Sequence, residues 1–437
     1  MAQPLDFVTV LNRVQQYISQ RYSAALADKN KSAQLRTYIE KYIFDYGVMV
    51  EGMPFQILSD KLYCEMAEYS VLTQYLGRED IEEINVNGWD DIAITYTDGR
   101  IEKTAEHFFS PQHAVDVVKR LLHHSGMIID NATPISQGHL PGNTRITALK
   151  DPIVDQDRGI SVSIRLLHPS RVDKDQLVRE GCSTQKMVDF LCMCLRYGVS
   201  FVIAGATSSG KTTLLNALLS TVPNNKRIFT IESGSRELSL VRYKDGSVVN
   251  NVVHTLSRPS ENNAHDITQE DLVVASLRFN PDVVVVGEMR DTEAYSAVEA
   301  SLTGHTVVST IHASAADTAH MRLALLCQKR FPINFQTSLM QAGQAFPIVV
   351  YTHKLEDNSR KIMDISECVI NADGEREYRS LYRYKITDNE VKDDQFQIEG
   401  HFEQQEIMSE GLRTKLVQFG VPQSVLQQFL VKGADYV

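Results

Sequence analysis

Apolar residues in the first part of the chain recur at the spacing of one helical face. Two such series occur: Phe7, Leu11, Val14 and Ile18, then Leu35, Ile39, Tyr42 and Ile43. A polar segment over 27–32 separates the two series. The spacing predicts that residues 1–78 form an N-terminal helical region of two or three packed helices. A helical stalk that docks to a partner would show the same pattern.

Between residues 79 and 167 apolar and polar residues alternate. Ile84 and Val86 begin this pattern, and the dipeptides Asn87-Gly88 and Asp98-Gly99 are typical of tight turns between strands. Ser110 followed by Pro111 has the signature of a helix start. The pattern predicts a compact α+β domain over 79–167, followed by a polar linker over 168–178.

The remainder of the chain, 179–437, alternates apolar runs with helical stretches. The runs lie at 199–204, 228–231, 283–286, 306–311 and 347–351. Short apolar runs separated by helices indicate a parallel β-sheet with crossover helices, so we expect an α/β fold here. From about 362 to 437 the segments become more polar and predict a tail of strands and hairpins that ends in a helix.

The composition favours a globular protein and argues against several other classes. Hydrophobic residues make up 43% of 437 residues, which is typical of a globular protein. No apolar run approaches the ~20 residues of a membrane-spanning helix. The net charge is −11, which disfavours a general nucleic-acid binder. Six cysteines without a C-x-x-C pair argue against a zinc or disulfide scaffold and fit a reducing cytosol.

One motif carries specific chemistry. The sequence G-A-T-S-S-G-K-T at 205–212 fits the phosphate-binding pattern G-x-x-x-x-G-K-[ST], and it lies between a predicted strand and a predicted helix. Backbone N–H groups of such a loop surround phosphate oxygens, while the lysine reaches the outer phosphates and the final hydroxyl completes a Mg²⁺ shell. We therefore predict that ATP and Mg²⁺ bind here, through Gly205, Ala206, Thr207, Ser208, Ser209, Gly210, Lys211, Thr212 and Thr213.

Two acidic residues follow apolar runs and are candidates for catalysis. Glu232 ends the run at 228–231, and Glu288 follows the run at 283–286 after Gly287. A carboxylate at the end of a parallel strand faces the phosphate crevice, where it can hold Mg²⁺ or orient water. Thr212 and Glu288 are the predicted metal contacts. A solvated strand-end acid is the alternative for each. The chain has no N-K-x-D element, which argues against a GTPase.

Arginines and histidines are the remaining candidates. An arginine from outside the loop can stabilise the charge that develops during phosphoryl transfer, and four arginines are placed for this: Arg145, Arg165, Arg278 and Arg290. A surface role remains open for each of them. His305 and His312 flank one predicted strand, and their separation disfavours a shared metal ion. Contact with phosphate or with a neighbouring subunit stays open for both histidines.

Taken in order, these motifs resemble those of a known family. Besides the phosphate loop, they are E-I-N-V-N-G at 83–88, L-P-G-N-T-R at 140–145, S-I-R at 163–165, L-R-F-N-P-D at 277–282, G-E-M-R-D at 287–291, T-G-H at 303–305 and S-T-I-H at 309–312. Over about 70–370 the chain resembles the secretion ATPases of type II and type IV secretion and type IV pilus systems. Within them it is most similar to the CpaF-like branch, which serves tight-adherence pili, and next to the conjugation and type IV secretion branch.

The resemblance implies a fold and an assembly. It implies a RecA-like P-loop motor domain over 179–437, preceded by a smaller, PAS-like α+β domain, with six copies in a ring. It also implies that Glu232 lies in an acidic box, that Glu288 is the Walker B acid and that His312 belongs to a histidine box. Arg145 and Arg165 match arginines that reach toward nucleotide, while Arg278 and Arg290 match arginines near a subunit boundary.

The chain departs from the family pattern at three points. The acidic box usually reads I-E-D, but Ser233 follows Glu232 here, so the second acid of that box has no counterpart. The usual D-G before the first arginine is Gly142-Asn143-Thr144. The four-cysteine zinc element of some type II secretion and pilus ATPases is absent. This last difference favours the CpaF-like or conjugation branch.

The resemblance implies an ATP-hydrolysing hexameric motor at the cytoplasmic face of the inner membrane. It would act on a membrane platform protein and drive pilus assembly, pilus retraction or protein secretion, with membrane attachment through partners only. A type IV secretion or conjugation ATPase is the nearest alternative. A RecA-like DNA translocase is less favoured because of the acidic charge, and no specific nucleic-acid partner is expected. A scaffold that binds nucleotide without hydrolysing it is a third class.

Overall fold

The computed structural model describes residues 5–22, 32–142, 144–166, 172–258, 266–371, 373–392 and 395–431. The chain divides into two compact units, Met1–His168 and Pro169–Val437. The division falls at the start of the segment predicted as a linker, whose residues 168–171 lie outside the described residues. Among the described residues, no helix is both long and apolar enough to cross a membrane.

The first unit begins with three helices. They are α1 (Phe7–Arg21), α2 (Ser32–Asp45) and α3 (Phe55–Ala67). Asp6 caps α1 by accepting a hydrogen bond from the Thr9 amide. The apolar faces meet in one core, which includes Val10, Val14, Ile18, Leu35, Ile39, Leu58 and Leu62. The helical spacing therefore predicted these helices correctly, while residues 27–31 of the predicted polar break lie outside the described part of the chain.

A six-stranded antiparallel sheet forms the rest of the first unit. Its strands are β1 (Ile81–Gly88), β2 (Asp91–Tyr96), β3 (Ile101–Lys103), β4 (Ile135–Leu140), β5 (Thr144–Lys150) and β6 (Ile160–Leu166). The order across the sheet is β3-β2-β1-β6-β5-β4. Helix α4 (Pro111–His123) packs its apolar residues on the core that the sheet lines. This α+β architecture is the one that the alternating pattern predicted.

The three N-terminal helices pack against this α+β part. The Arg120 guanidinium on α4 donates a 3.0 Å hydrogen bond to the Glu65 carbonyl oxygen on α3. The rings of Phe7 and Phe109 lie 5.6 Å apart. The helical region and the sheet are therefore parts of one compact unit rather than two separate domains.

The second unit is built on a nine-stranded sheet. Its strands are β7 (Phe201–Gly205), β8 (Arg227–Ser233), β11 (Asn251–Ser257), β12 (Val283–Val286), β13 (Thr306–Ile311), β14 (Ile348–Lys354), β15 (Arg360–Ile370), β16 (Arg376–Lys392) and β17 (Gln395–Gln404). A small separate hairpin consists of β9 (Tyr243–Lys244) and β10 (Ser247–Val248). The order in the large sheet is β11-β8-β12-β13-β7-β14-β15-β16-β17. The first six strands in this order are parallel, as predicted, and the last three pairings are antiparallel.

Helices cover both faces of the large sheet. They are α5 (Lys174–Arg179), α6 (Gln185–Arg196), α7 (Lys211–Leu219), α8 (Gln269–Ser276), α9 (Glu293–Leu302), α10 (Ala316–Arg330), α11 (Phe335–Ala345), α12 (Glu410–Gln418) and α13 (Gln423–Leu430). Alternate residues of β7 point into different cores: Phe201 and Ile203 into one, Val202 and Ala204 into the other. A central strand buried on both faces is apolar throughout, which explains the run at 199–204.

One boundary from the sequence was wrong. The predicted linker extends to residue 178, but α5 begins at Lys174 and buries Leu177. The tail of strands with a helical end, predicted over about 362–437, is confirmed in the described residues, and the structure adds that β15 to β17 continue the large sheet and that Leu416 and Phe429 are buried in the core of the second unit. The sequence concealed this because β16 and β17 are largely exposed and therefore polar.

Candidate nucleotide-binding site

The phosphate-binding motif forms the turn between β7 and α7. β7 ends at Gly205 and α7 begins at Lys211. Ser208 and Gly210 have φ angles of +58° and +89°, so the backbone curls back on itself. A β-carbon at Gly205 would lie 2.4 Å from the Ser209 hydroxyl oxygen, so a side chain does not fit there. A strand, a curled loop and a helix N-terminus together form an arrangement that binds phosphate through backbone N–H groups.

Side-chain hydrogen bonds fix the loop from within and from a neighbouring strand. The Ser209 hydroxyl donates to the Ala206 carbonyl at 2.9 Å and lies 3.0 Å from the Thr352 hydroxyl on β14. The Lys211 ammonium donates to the carbonyls of Gly205 and Ala206 at 3.0 and 2.6 Å. A phosphate would offer this ammonium a charged acceptor, which forms a stronger hydrogen bond than a carbonyl does.

The other predicted nucleotide contacts lie on the same turn. Ala206, Thr207 and Ser208 are exposed on the loop. Thr212 and Thr213 are the second and third residues of α7 and are half-buried. The Thr212 hydroxyl and the carboxylate of Glu288, the two predicted metal contacts, are oxygen ligands of the kind that Mg²⁺ prefers, so these donors fit this ion.

Glu232 lies at the carboxyl end of β8 and is almost fully buried. One carboxylate oxygen, Oε1, accepts hydrogen bonds from the amides of Glu237 and Leu238 at 2.7 and 3.0 Å. Burial raises the pKa of this carboxyl group to about 7, although the two amide hydrogen bonds oppose the shift. A β-carbon at Gly287 would lie 3.2 Å from Glu232 Cγ, so the glycine leaves room for the glutamate.

A histidine that the sequence did not single out lies beside Glu232. His254 on β11 pairs with Thr230 of β8, and its Nδ1 lies 2.8 Å from the Thr230 hydroxyl and 4.0 Å from Glu232 Oε2. Burial lowers the pKa of His254 to about 4, so the imidazole is neutral at pH 7. The parallel register of β8 and β11 brings the two side chains together.

Glu288 is held by a guanidinium and an imidazole at the end of β12. The Arg290 guanidinium donates to Glu288 Oε2 at 2.5 Å, and His312 Nε2 lies 2.9 Å from Oε1. Burial, and then the charge of Lys211, lower the pKa of His312 below its usual value. The influence of Lys211 on His312 connects this group to the phosphate loop. Glu288, Arg290 and His312 thus form one cluster at the edge of the sheet where Lys211 lies.

The structure separates two predicted residues from this cluster. Arg278 is exposed in the turn that precedes β12, whereas Glu288 follows the other end of that strand. His305 precedes β13 and His312 follows it, and a strand of six residues spans roughly 20 Å. The two histidines therefore do not share a metal ion. Among the described residues no group of three or more His, Cys, Asp or Glu side chains is arranged as a metal site.

Arg145 and Arg165 are neighbours in the first unit. They are directly paired across β5 and β6, so their side chains emerge on the same face of the antiparallel sheet. The Arg165 guanidinium donates a 3.4 Å hydrogen bond to Glu82. The sequence identified both arginines singly, and the strand register shows that they form a pair.

Two further contacts to the loop were not predicted. Thr352 and Arg360 lie about 150 residues after the loop and contact Ser209 and the Ser208 carbonyl. β14 is a parallel neighbour of β7, so its carboxyl end adjoins the loop. The rule that carboxyl ends of parallel strands meet could have identified Thr352. No signal in the sequence marks Arg360.

The chain is similar in sequence to several known proteins. An uncharacterized protein of Methanocaldococcus jannaschii is 32% identical over 260 residues, which are 56% of this chain and 45% of that protein. The type IV secretion system protein PtlH of Bordetella pertussis is 34% identical over 184 residues, which are 40% of this chain and 52% of PtlH. The chain therefore spans about half the length of these curated relatives.

The chain also resembles a solved structure and matches the model of one protein family. The ATPase DotB of Legionella pneumophila aligns over 80% of this chain and 82% of its own, with 20% identity and a TM-score of 0.45. The model of the family described as Type II/IV secretion system protein matches residues 65–410. That match covers well over half of the 437 residues, so the chain belongs to the Type II/IV secretion system protein family.

Proposed function

We propose that this chain is an ATP-hydrolysing motor of a secretion or pilus system. The observation that carries the proposal is the meeting of a phosphate loop with two strand-end glutamates at one edge of a parallel sheet. Lys211 in the loop is close enough to His312 to affect its pKa, and His312 contacts Glu288. Phosphate, cation and water chemistry can therefore occur in one place.

Each residue has a role in this proposal. The loop amides and Lys211 bind the phosphates, and Thr212 and Glu288 would hold Mg²⁺, which neutralises phosphate charge when bound. Glu288 orients the attacking water, and His312 and Arg290 fix the orientation of its carboxylate. Glu232 closes the segment 233–238 onto the sheet through two amide hydrogen bonds. Arg145 and Arg165, a cationic pair on one sheet face, would supply positive charge for nucleotide binding.

The assembly and its work are the finer part of the proposal. We infer a homohexameric ring of the CpaF-like type, in which the first unit acts as a PAS-like domain and Arg278 lies near a subunit boundary. The exposed position of Arg278, away from its own cluster, supports a role toward a neighbouring chain. Nucleotide-dependent conformational change in the ring would act on an inner-membrane platform protein at the cytoplasmic face. This action would drive pilus assembly, pilus retraction or protein secretion.

A type IV secretion ATPase is the second candidate. The observation that favours it is the 34% identity to PtlH, whose name assigns it to a type IV secretion system. Both candidates share ATP hydrolysis and differ in the membrane partner. A DNA translocase is less well supported because the net charge of −11 opposes binding to a polyanion.

Turnover and assembly state test the proposal together. We expect the purified chain to hydrolyse ATP with Mg²⁺ and to sediment as a hexamer when nucleotide is present. Lys211→Ala should abolish turnover, whereas Lys385→Ala, a change at an exposed lysine on β16, should not alter it. Hydrolysis that persists in Lys211→Ala would refute the site. A wild-type monomer without turnover would refute the motor, and stimulation by DNA would favour the translocase.

A further inference from the structure

Arg360, the first residue of β15, reaches the outside of the phosphate loop. Its Nε donates a 3.0 Å hydrogen bond to the Ser208 carbonyl. Its aliphatic stem lies over Gly210, where an added β-carbon would be 3.3 Å from Arg360 Cδ. The side chain therefore contacts both loop residues that have positive φ angles.

The conformation of Ser208 needs external support. A non-glycine residue with a φ of +58° is in a left-handed conformation that L-residues disfavour. Such a residue persists where the surrounding structure holds it in place. Ser209, the next residue, is fixed by its hydrogen bonds to Ala206 and Thr352. Arg360 supplies the corresponding bond on the other side, at the Ser208 carbonyl.

The bond at the Ser208 carbonyl also fixes the direction of the Ser209 N–H group. In a planar trans peptide the C=O and the following N–H point in opposite directions. When Arg360 holds the Ser208 carbonyl, it also directs the Ser209 N–H away from β15. Loops of this type bind phosphate through N–H groups that converge on the opposite side from their carbonyls.

We propose that Arg360 is a positioning residue for nucleotide binding, because its bond to the Ser208 carbonyl orients the Ser208–Ser209 peptide so that the Ser209 N–H faces phosphate. This proposal rests on the proposed function in one respect only, namely that the loop binds a nucleotide. It predicts that Arg360 acts on the phosphate part of the ligand. A guanidinium that instead contacted the nucleoside would act on the other part, and the two actions can be separated.

The test compares two ligands and three variants. Arg360→Met keeps an aliphatic stem over Gly210 and removes the donor, while Arg360→Lys keeps the positive charge but lacks the Nε–H group. Arg383→Met makes the same change at an exposed arginine of β16 that pairs with Asp364, and it serves as the matched control. Affinities for ADP and for inorganic pyrophosphate are measured by calorimetry, together with kcat and KM for ATP.

We expect Arg360→Met to weaken the binding of ADP and the binding of pyrophosphate by the same factor, about tenfold. KM for ATP should rise by that factor while kcat changes less than about threefold, because the loop can still close on bound phosphate. Arg360→Lys should behave like Arg360→Met, and Arg383→Met like the wild type. Hydrogen exchange at 207–210 should be faster in Arg360→Met, with the melting temperature unchanged.

Three outcomes would overturn the inference. Unchanged affinities and unchanged exchange in Arg360→Met would show that the bond does not position the loop. A weaker affinity for ADP with an unchanged affinity for pyrophosphate would show that Arg360 contacts the nucleoside instead. Full recovery in Arg360→Lys would show that the donor at the Nε position is not what positions the loop. A wild-type chain that binds neither ligand would refute the proposed function itself, so the two failures are distinguishable.

Discussion

The carboxyl ends of β8 and β12 are neighbours in one sheet, and each presents a glutamate, yet the two sites differ. Glu232 is buried, its Oε1 is bonded to two amides, and burial raises the pKa of its carboxyl group to about 7. The Glu288 side chain is 20% exposed and is bound by Arg290 and contacted by His312. Position at a strand end determines where a carboxylate lies, and the segment that follows determines its environment.

This difference indicates different roles for Glu232 and Glu288. A carboxylate that lies beside a guanidinium and an imidazole and is partly open to solvent is suited to holding water or Mg²⁺. A buried carboxyl group that caps two amides is suited to fixing the chain that follows it.

The largest expected effect is that of Glu288→Gln on turnover. We expect kcat to fall by about 100-fold or more, because a neutral amide cannot accept a proton from water. Affinity for ADP should stay within about threefold of the wild type, since the phosphate loop is untouched. Steady-state hydrolysis and calorimetry measure the two quantities, with Glu399→Gln on exposed β17 as control. If binding and turnover fell by equal factors, Glu288 would be part of the binding site instead.

The second effect is on stability as a function of pH. The pKa of Glu232 is raised from 4.5 to about 7 in the folded chain. Between these values the folded state keeps a proton that the unfolded chain releases, so the contribution of Glu232 to stability falls as pH rises. Glu232→Gln lacks this titration. We therefore expect the free energy of unfolding of the variant, relative to that of the wild type, to rise by about 1 to 3 kcal/mol from pH 4.5 to pH 7.

Urea unfolding across this range measures that gain. The groups that face the carboxyl are Arg236, Glu237 and His254. His254, whose pKa is lowered to about 4, has the opposite pH dependence: its contribution to stability falls as pH drops below 6.5. His254→Gln should therefore steepen the loss of wild-type stability with rising pH between about 4.5 and 6.5. Parallel pH profiles for the wild type and Glu232→Gln would contradict the raised pKa.

A smaller effect is expected for turnover in Glu232→Gln. The carboxyl is already partly protonated near pH 7, and a glutamine oxygen can still accept the amides of Glu237 and Leu238. We expect kcat to fall about 3- to 10-fold, which is the size expected for weakening one or two hydrogen bonds. Measured under the same conditions as Glu288→Gln, a loss of equal size would remove the distinction between the two glutamates.

The smallest effect is expected for Gly287→Ala, which lies between the two sites. The new methyl would lie 3.2 Å from Glu232 Cγ and 3.4 Å from the Ile231 carbonyl oxygen. Glu232 has to shift by a few tenths of an ångström, at a cost of about 1 kcal/mol. We expect a corresponding drop in melting temperature and a two- to threefold fall in kcat. An increase in stability would show that Glu232 has room to move.

The sequence predicted the positions of the main groups better than their surroundings. The phosphate loop follows from a local pattern, and the apolar runs predicted the parallel strands, because buried central strands are apolar throughout. The contrast between Glu232 and Glu288 could not be predicted, since it depends on how residues 233–238 turn back onto one oxygen atom. Arg360 was missed because its contact joins residues far apart in the sequence, and no local pattern marks such a contact.

The three C-terminal strands limit where this chain can be shortened. β15 pairs with β14 between Arg360 and Glu367 and with β16 between Asp364 and Ile370, and β14 in turn lies against the strand that carries the phosphate loop. A chain cut after residue 355 would end with β14 as a bare edge, and an apolar unpaired edge invites pairing with other molecules. Such a shortened protein should collect in inclusion bodies rather than yield a smaller ATPase, so the polar C-terminal region protects the solubility of the fold.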